Sequence, residues 1–156
     1  MNSNIFRIIV FFVILLFLPL LTLAQNSISF QSLNAQNIKI YFSEKIEAKE
    51  VEIHPNGIGS YIQVGASDAN KFLKKNCFSG ITFESALSVN KILKTLNAKI
   101  ISKQNISILD ENKTIIYAYT DKLSNFVVLN GQKVNIQILV GEKVNLIGHP
   151  LLLGSY

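Results

Sequence analysis

A chain of 156 residues with fifteen Lys and Arg against ten Asp and Glu has room for one ordinary domain behind its apolar leader, and not for two. Its one cysteine, Cys77, excludes an internal disulfide and cysteine-rich zinc sites, so apolar burial and backbone pairing must hold the fold. Arg7 is the only arginine, and diffuse lysine basicity of this kind is a weak warrant for a polyanion, so nucleic acid is not expected as a partner.

The chain opens with a short, weakly positive stretch from Asn2 to Arg7 and an apolar run from Ile8 to Leu18, followed by Pro19, Thr22 and Ala24. This is the layout of an export signal, and residues 1–24 are read as a signal peptide cleaved near Ala24. The run also approaches the roughly twenty residues that span a bilayer, so an uncleaved membrane anchor is the alternative. Either way the residues from Gln25 onward are expected outside the cytoplasm. With no cysteine directly after the apolar run, a lipoprotein anchor is excluded.

Residues 25–37, rich in Ser, Asn and Gln, read as a linker holding one short strand at Ile28 to Phe30, and residues 38–156 as a single α+β domain. Val51 and Ile53 alternate with Glu50, Glu52 and His54; Pro55-Asn56-Gly57 then turns the chain and Tyr61 to Val64 returns, which predicts a hairpin. Ser67 and Asp68 offer an N-cap to a helix over 67–75 that buries Ala69, Phe72 and Leu73, and Gly80 leads into a brief strand at Ile81 to Phe83. Val89, Ile92, Leu93 and Leu96 recur at helical spacing and predict a second helix over 85–97. Strands follow at Ile100 to Ile108, Thr114 to Thr120, Phe126 to Leu129, Gln132 to Val140 and Lys143 to Ile147. Asn130-Gly131 supplies the positive φ angles of a two-residue hairpin turn, and puts Val134, Ile136, Ile138 and Val140 on one face with Asn135 and Gln137 on the other. The sum is an antiparallel, curved sheet of five to seven strands packed against two helices.

Chemistry-bearing residues are sparse. Glu50, Glu52 and His54 share one strand face, as metal ligands would, but the same pattern describes a solvated face opposite Val51 and Ile53, and no metal site is expected. His149, in Gly148-His149-Pro150, has no triad partner near it in sequence, and Ser124 and Cys77 lack the context of an activated nucleophile, so no catalytic residue and no cofactor are expected. Tyr117 and Tyr119 share a strand face ahead of Lys122, which makes these three the candidate surface contact: an aromatic platform beside a positive group.

From about residue 86 the helix at Val89 to Leu93, the run Ile116-Tyr117-Ala118-Tyr119-Thr120-Asp121, the run Val134 to Ile138 and the ending Gly148-His149-Pro150-Leu151-Leu152-Leu153-Gly154-Ser155-Tyr156 succeed one another. This half resembles the carboxyl-terminal half of the YwmB-like family, secreted proteins of Gram-positive, often spore-forming bacteria with a TATA-box-binding-protein-like fold. It departs from the family at His149, where threonine is expected. The resemblance implies a curved antiparallel sheet backed by helices in an extracytoplasmic protein and brings no activity with it. The expected function is therefore a non-enzymatic binding or assembly module of the cell envelope, with an envelope protein or wall polymer as partner and membrane contact through residues 1–24 if they are retained. The alternative is a wall-active or metal-dependent hydrolase using Glu52, His54 or His149.

Overall fold

The structure is a computed structural model and describes residues 28–44, 51–56, 59–75, 78–108 and 111–152. The leader, Glu50, Cys77 and residues 153–156 lie outside the described residues. In chain order the elements are strands β1 (Ala35–Phe42), β2 (Ile53–Asn56) and β3 (Gly59–Val64), helix α1 (Ala66–Lys75), β4 (Gly80–Ser85), helix α2 (Val89–Leu96), β5 (Lys99–Ile108), β6 (Glu111–Tyr119), β7 (Val127–Leu129), β8 (Gln132–Val134), β9 (Ile136–Val140) and β10 (Asn145–His149).

The fold is α+β, with two helices against an antiparallel sheet. The sheet has eight strands in the order β2-β3-β1-β4-β10-β9-β6-β5 and does not close, and β7 and β8 form a separate two-stranded ribbon. It is larger than the five to seven strands expected, because Gln36 and Asn37 mask the start of β1, a central strand whose Ile38, Ile40 and Phe42 alternate with Lys39 and Tyr41. The same masking hides the segment before it. Residues 28–34 fall in the stretch expected to be a linker, yet Phe30 meets Phe83 edge-on at 5.5 Å and Ile28, Phe30 and Leu33 are all buried in the core. They form a turn rather than the short strand expected there.

Register explains where the core lies. Ile62, Ile40 and Ile81 stand side by side across β3, β1 and β4, and Phe83, Ile147, Ile138 and Ile116 continue the row across β4, β10, β9 and β6. Ala69 of α1 and Ile92, Leu93 and Leu96 of α2 close over this face. Each such side chain contributes about 2 kcal/mol on burial, so the core alone supplies the stabilisation that a disulfide gives elsewhere. Helix α2 starts later than residue 85 because Ser85 still belongs to β4, where its hydroxyl donates to the Leu33 carbonyl at 2.5 Å and accepts from the Leu87 amide at 3.2 Å. It ends at Asn97, which adopts the left-handed conformation (φ 52°) that asparagine tolerates. Ser67 and Asp68 fall inside the first turn of α1 rather than ahead of it, and Asp68 accepts from Lys71 Nζ at 2.7 Å.

Strand directions divide the molecule into two poles. The turn at 28–34, the starts of α1, α2 and β6 and the turn from Gly141 to Val144 gather at one, the entry pole. The ends of α2 and β6, the β7–β8 ribbon and the chain after β10 gather at the other, the ribbon pole. The sheet face away from the helices is the open face.

Candidate functional site

Tyr117 and Tyr119 stand on the open face of β6, half-buried, with Tyr117 opposite Ser102 of β5 and Gln137 of β9. Lys122 does not join them. The turn after β6 leans toward the helix layer, where Thr120 Oγ1 donates to the Leu96 carbonyl at 2.7 Å and Lys122 Nζ donates to the Thr95 carbonyl at 3.4 Å. A cation on the last carbonyls of a helix suits the negative end of its dipole, and this local attraction outweighs any pull toward the tyrosine rings.

The residues of the hydrolase alternative are not brought together. His54 lies on the open face of β2, its Nδ1 4.0 Å from Glu52 and its ring stacked on Tyr61 at 4.8 Å, while His149 faces the core from β10 and is 2% exposed. Four strand spacings, about 19 Å, separate β2 from β10, and the two imidazoles point to opposite faces. Among the described residues no three His, Cys, Asp or Glu side chains converge as metal ligands. Instead His54, Tyr61 and Tyr41 form a cross-strand aromatic row, Tyr41 tilted on Tyr61 at 5.5 Å and Lys39 Nζ 5.5 Å from the Tyr61 ring centre. The rings occupy one another's faces, so the row stabilises the edge hairpin rather than offering a free stacking surface.

A buried polar network sets the ribbon on the sheet. Asn135, between β8 and β9, accepts from the Thr120 amide at 2.9 Å and donates to the Thr120 and Leu123 carbonyls at 2.7 and 3.0 Å. Its own carbonyl takes a hydrogen bond at 2.7 Å from His149 Nδ1, which must carry the proton because a carbonyl only accepts. The His149 ring also packs near Phe78, with centroids 6.1 Å apart. Burial pushes the His149 imidazole below its ordinary value, and the Asn135 carbonyl, which favours the charged form, offsets this only in part. The unfolded chain therefore takes up the proton first. The stability tied to neutral His149 is complete above about pH 6.5 and drains away as the pH falls toward the lowered folded value. Melting temperatures between about pH 7 and pH 5 should accordingly fall more steeply for the wild type than for His149→Gln, which keeps a donor for Asn135 but has no titration. Parallel slopes would rule the histidine out as the source.

The ribbon itself turns at Asn130-Gly131, with φ angles of 50° and 77°, as its sequence requires. Val127, Leu129 and Val134 point inward, and Leu129 and Val134 with Ile101, Ser102, Gln104 and Tyr117 border a cleft of about 170 Å³ between ribbon and sheet. Outward it shows Phe126, Val128 and Lys133; Val128 is 60% exposed, and Lys133 Nζ lies 4.4 Å from the Phe126 ring centre. The cleft opens beside β5, the edge of the sheet, so a backbone edge, a small pocket holding Tyr117 and an exposed apolar ribbon adjoin one another. Such a composite fits a polypeptide in extended conformation: the edge offers main-chain hydrogen bonds and the pocket receives an alternate side chain. Sequence reasoning found Tyr117 but not its neighbours, since β5 and the ribbon lie far apart in the chain and meet only through the sheet order. Comparison of the chain with protein-family models, with curated proteins and with solved structures finds no match.

Proposed function

We propose that this chain is an exported, extracytoplasmic binding or assembly module of the cell envelope, not an enzyme, and that it grips a protein partner by adding an extended segment of that partner to the outer edge of β5. One observation carries the reading. β5 is a ten-residue strand at the sheet edge with no described strand on its outer side, whereas the opposite edge, β2, has four residues and is blunted by Pro55. Lys99 and Lys103, with the register shift between Ile100 and Ser102, work against two copies pairing edge to edge and favour a neutral or acidic segment from a different chain. The leader read from residues 1–24 and the YwmB-like character of residues 86–156 support the extracytoplasmic address.

The edge can be tested with Gln104→Pro and Asn105→Pro. Successive backbone amides of an edge strand alternate between the neighbouring strand and the outside. One variant therefore deletes an outward N–H and keeps the melting temperature, while the other breaks the pairing with β6 and lowers it. The mature domain should capture a partner from membrane and wall fractions, and the stable proline variant should lose that capture. Equal capture by the stable variant would remove the β5 edge from the proposal, and reproducible absence of any partner at micromolar concentration would remove the binding function.

A further inference from the structure

We infer that the entry pole is the surface that rests on the lipid bilayer while residues 1–24 remain attached, with the β5 edge standing up from it and the ribbon held at the far end. The inference rests on the reading of residues 1–24 as an uncleaved membrane anchor, the alternative to a cleaved signal, and adds the contact surface and its partner. Beyond the run from Ile8 to Leu18 the leader stays largely apolar through Leu20, Leu21 and Leu23 to Ala24, and Ile28 is already locked in the core at 3% exposure. Only Gln25, Asn26 and Ser27 lie between them, a reach of at most about 14 Å even when fully extended. The head-group layer takes up roughly half of that. The remaining slack is small beside the nine residues of β6 that separate the poles, roughly 30 Å. A retained leader therefore leaves the domain no freedom to lift off or to turn its ribbon toward the lipid.

The side chains at the entry pole suit such a seat. Ser29, Gln31, Ser32, Asn34 and Ser88 are exposed, uncharged and able to hydrogen-bond lipid head groups. Of the acidic groups near them, Asp68 is matched with Lys71 at 2.7 Å and Glu111 with Lys113 at 2.6 Å, Glu142 is followed directly by Lys143, and Glu84 accepts from the neutral Asn37 side-chain amide at 2.9 Å. Val144 adds an apolar side chain, 41% exposed, at the tip of its turn. The strongest exposed apolar contact, Val128 on the ribbon, is left at the opposite end, free for a partner.

The experiment uses the full-length chain, leader included, in vesicles of phosphatidylcholine and phosphatidylglycerol containing a nitroxide-labelled lipid. With Cys77→Ser as background, a fluorophore is placed at Val144→Cys or at Val128→Cys, both exposed turn or ribbon positions whose replacement spares the core, and Lys143→Cys serves as a second entry-pole site. The label at 144 or 143 should be quenched several-fold more than the label at 128, and a flexible insertion between Ala24 and Gln25 should erase the difference. Equal or reversed quenching with the leader intact by mass would overturn the seat and leave export standing. A chain recovered from cells with Gln25 as its first residue would likewise end the seat while keeping export, whereas an unprocessed chain in the soluble interior of the cell would remove both.

Discussion

Replacing Asn135 with leucine should cost about 4 kcal/mol of folding stability, although leucine has nearly the same volume and is apolar. Asn135 is fully buried, and its amide meets three backbone groups of the loop after β6: the Thr120 N–H, the Thr120 carbonyl and the Leu123 carbonyl. Leucine meets none of them. Each group would be left without a partner in an interior that holds no other unsatisfied side-chain polar atom among the described residues, at about 1–3 kcal/mol apiece before relaxation. Because the same residue's backbone bonds Ala118 and His149, the damage should spread to the seating of the ribbon and to the cleft beside Tyr117. Chemical denaturation gives the size of the loss, and a change below about 1 kcal/mol would mean that water or a shifted loop replaces the network.

Asn135 also marks the boundary between what the sequence disclosed and what it withheld. Features that depend on a few neighbouring residues were legible: the helical spacing of Val89, Ile92, Leu93 and Leu96 and the turn at Asn130-Gly131 appear where the local pattern puts them, and the hairpin of β2 and β3 is present, although Pro55 and Asn56, expected in its turn, are paired residues of β2. Features created by distant partners were not. Asn135 and Gln137 look like the solvent side of an alternating strand, yet both are buried, one beneath the loop at 120–123 and one beneath the chain that follows Pro150. Phe30 and Leu33 sit among Ser, Gln and Asn, and their burial is fixed by Phe83 and Ser85, about fifty residues further along. In the candidate site, Tyr117 was visible as an aromatic residue on a strand face, but nothing local says that the ribbon folds against that face. Lys122 shows the converse: Tyr119 lies only three positions before it, and its partner is a helix end twenty-seven positions away.

Gly148→Val should lower stability by about 3 kcal/mol and free the end of the chain. After the cis His149–Pro150 bond the chain folds back across the open face, directly over residue 148. The Leu152 amide then donates to Gln137 Oε1 at 3.1 Å, and the Leu152 side chain is buried. A Cβ at 148 would stand 2.5 and 2.6 Å from the carbonyl carbon and oxygen of Leu151, with the Leu152 nitrogen closer still. These are backbone atoms, so no rotamer change relieves the overlap, and the returning chain must lift away. With it go the burial of Leu152, about 2 kcal/mol, and the hydrogen bond that satisfies Gln137, about 1 kcal/mol. Gly65→Ala is the matched control, since a Cβ there meets only Ser67 Oγ at an ordinary 3.9 Å. Amide hydrogen exchange at Leu152 should be slow in the wild type and in Gly65→Ala and fast in Gly148→Val, with the drop in melting temperature confined to the last. Because the same returning chain crosses the open face beside β9, retained protection at Leu152 in Gly148→Val would show that this face accommodates bulk that the observed packing forbids.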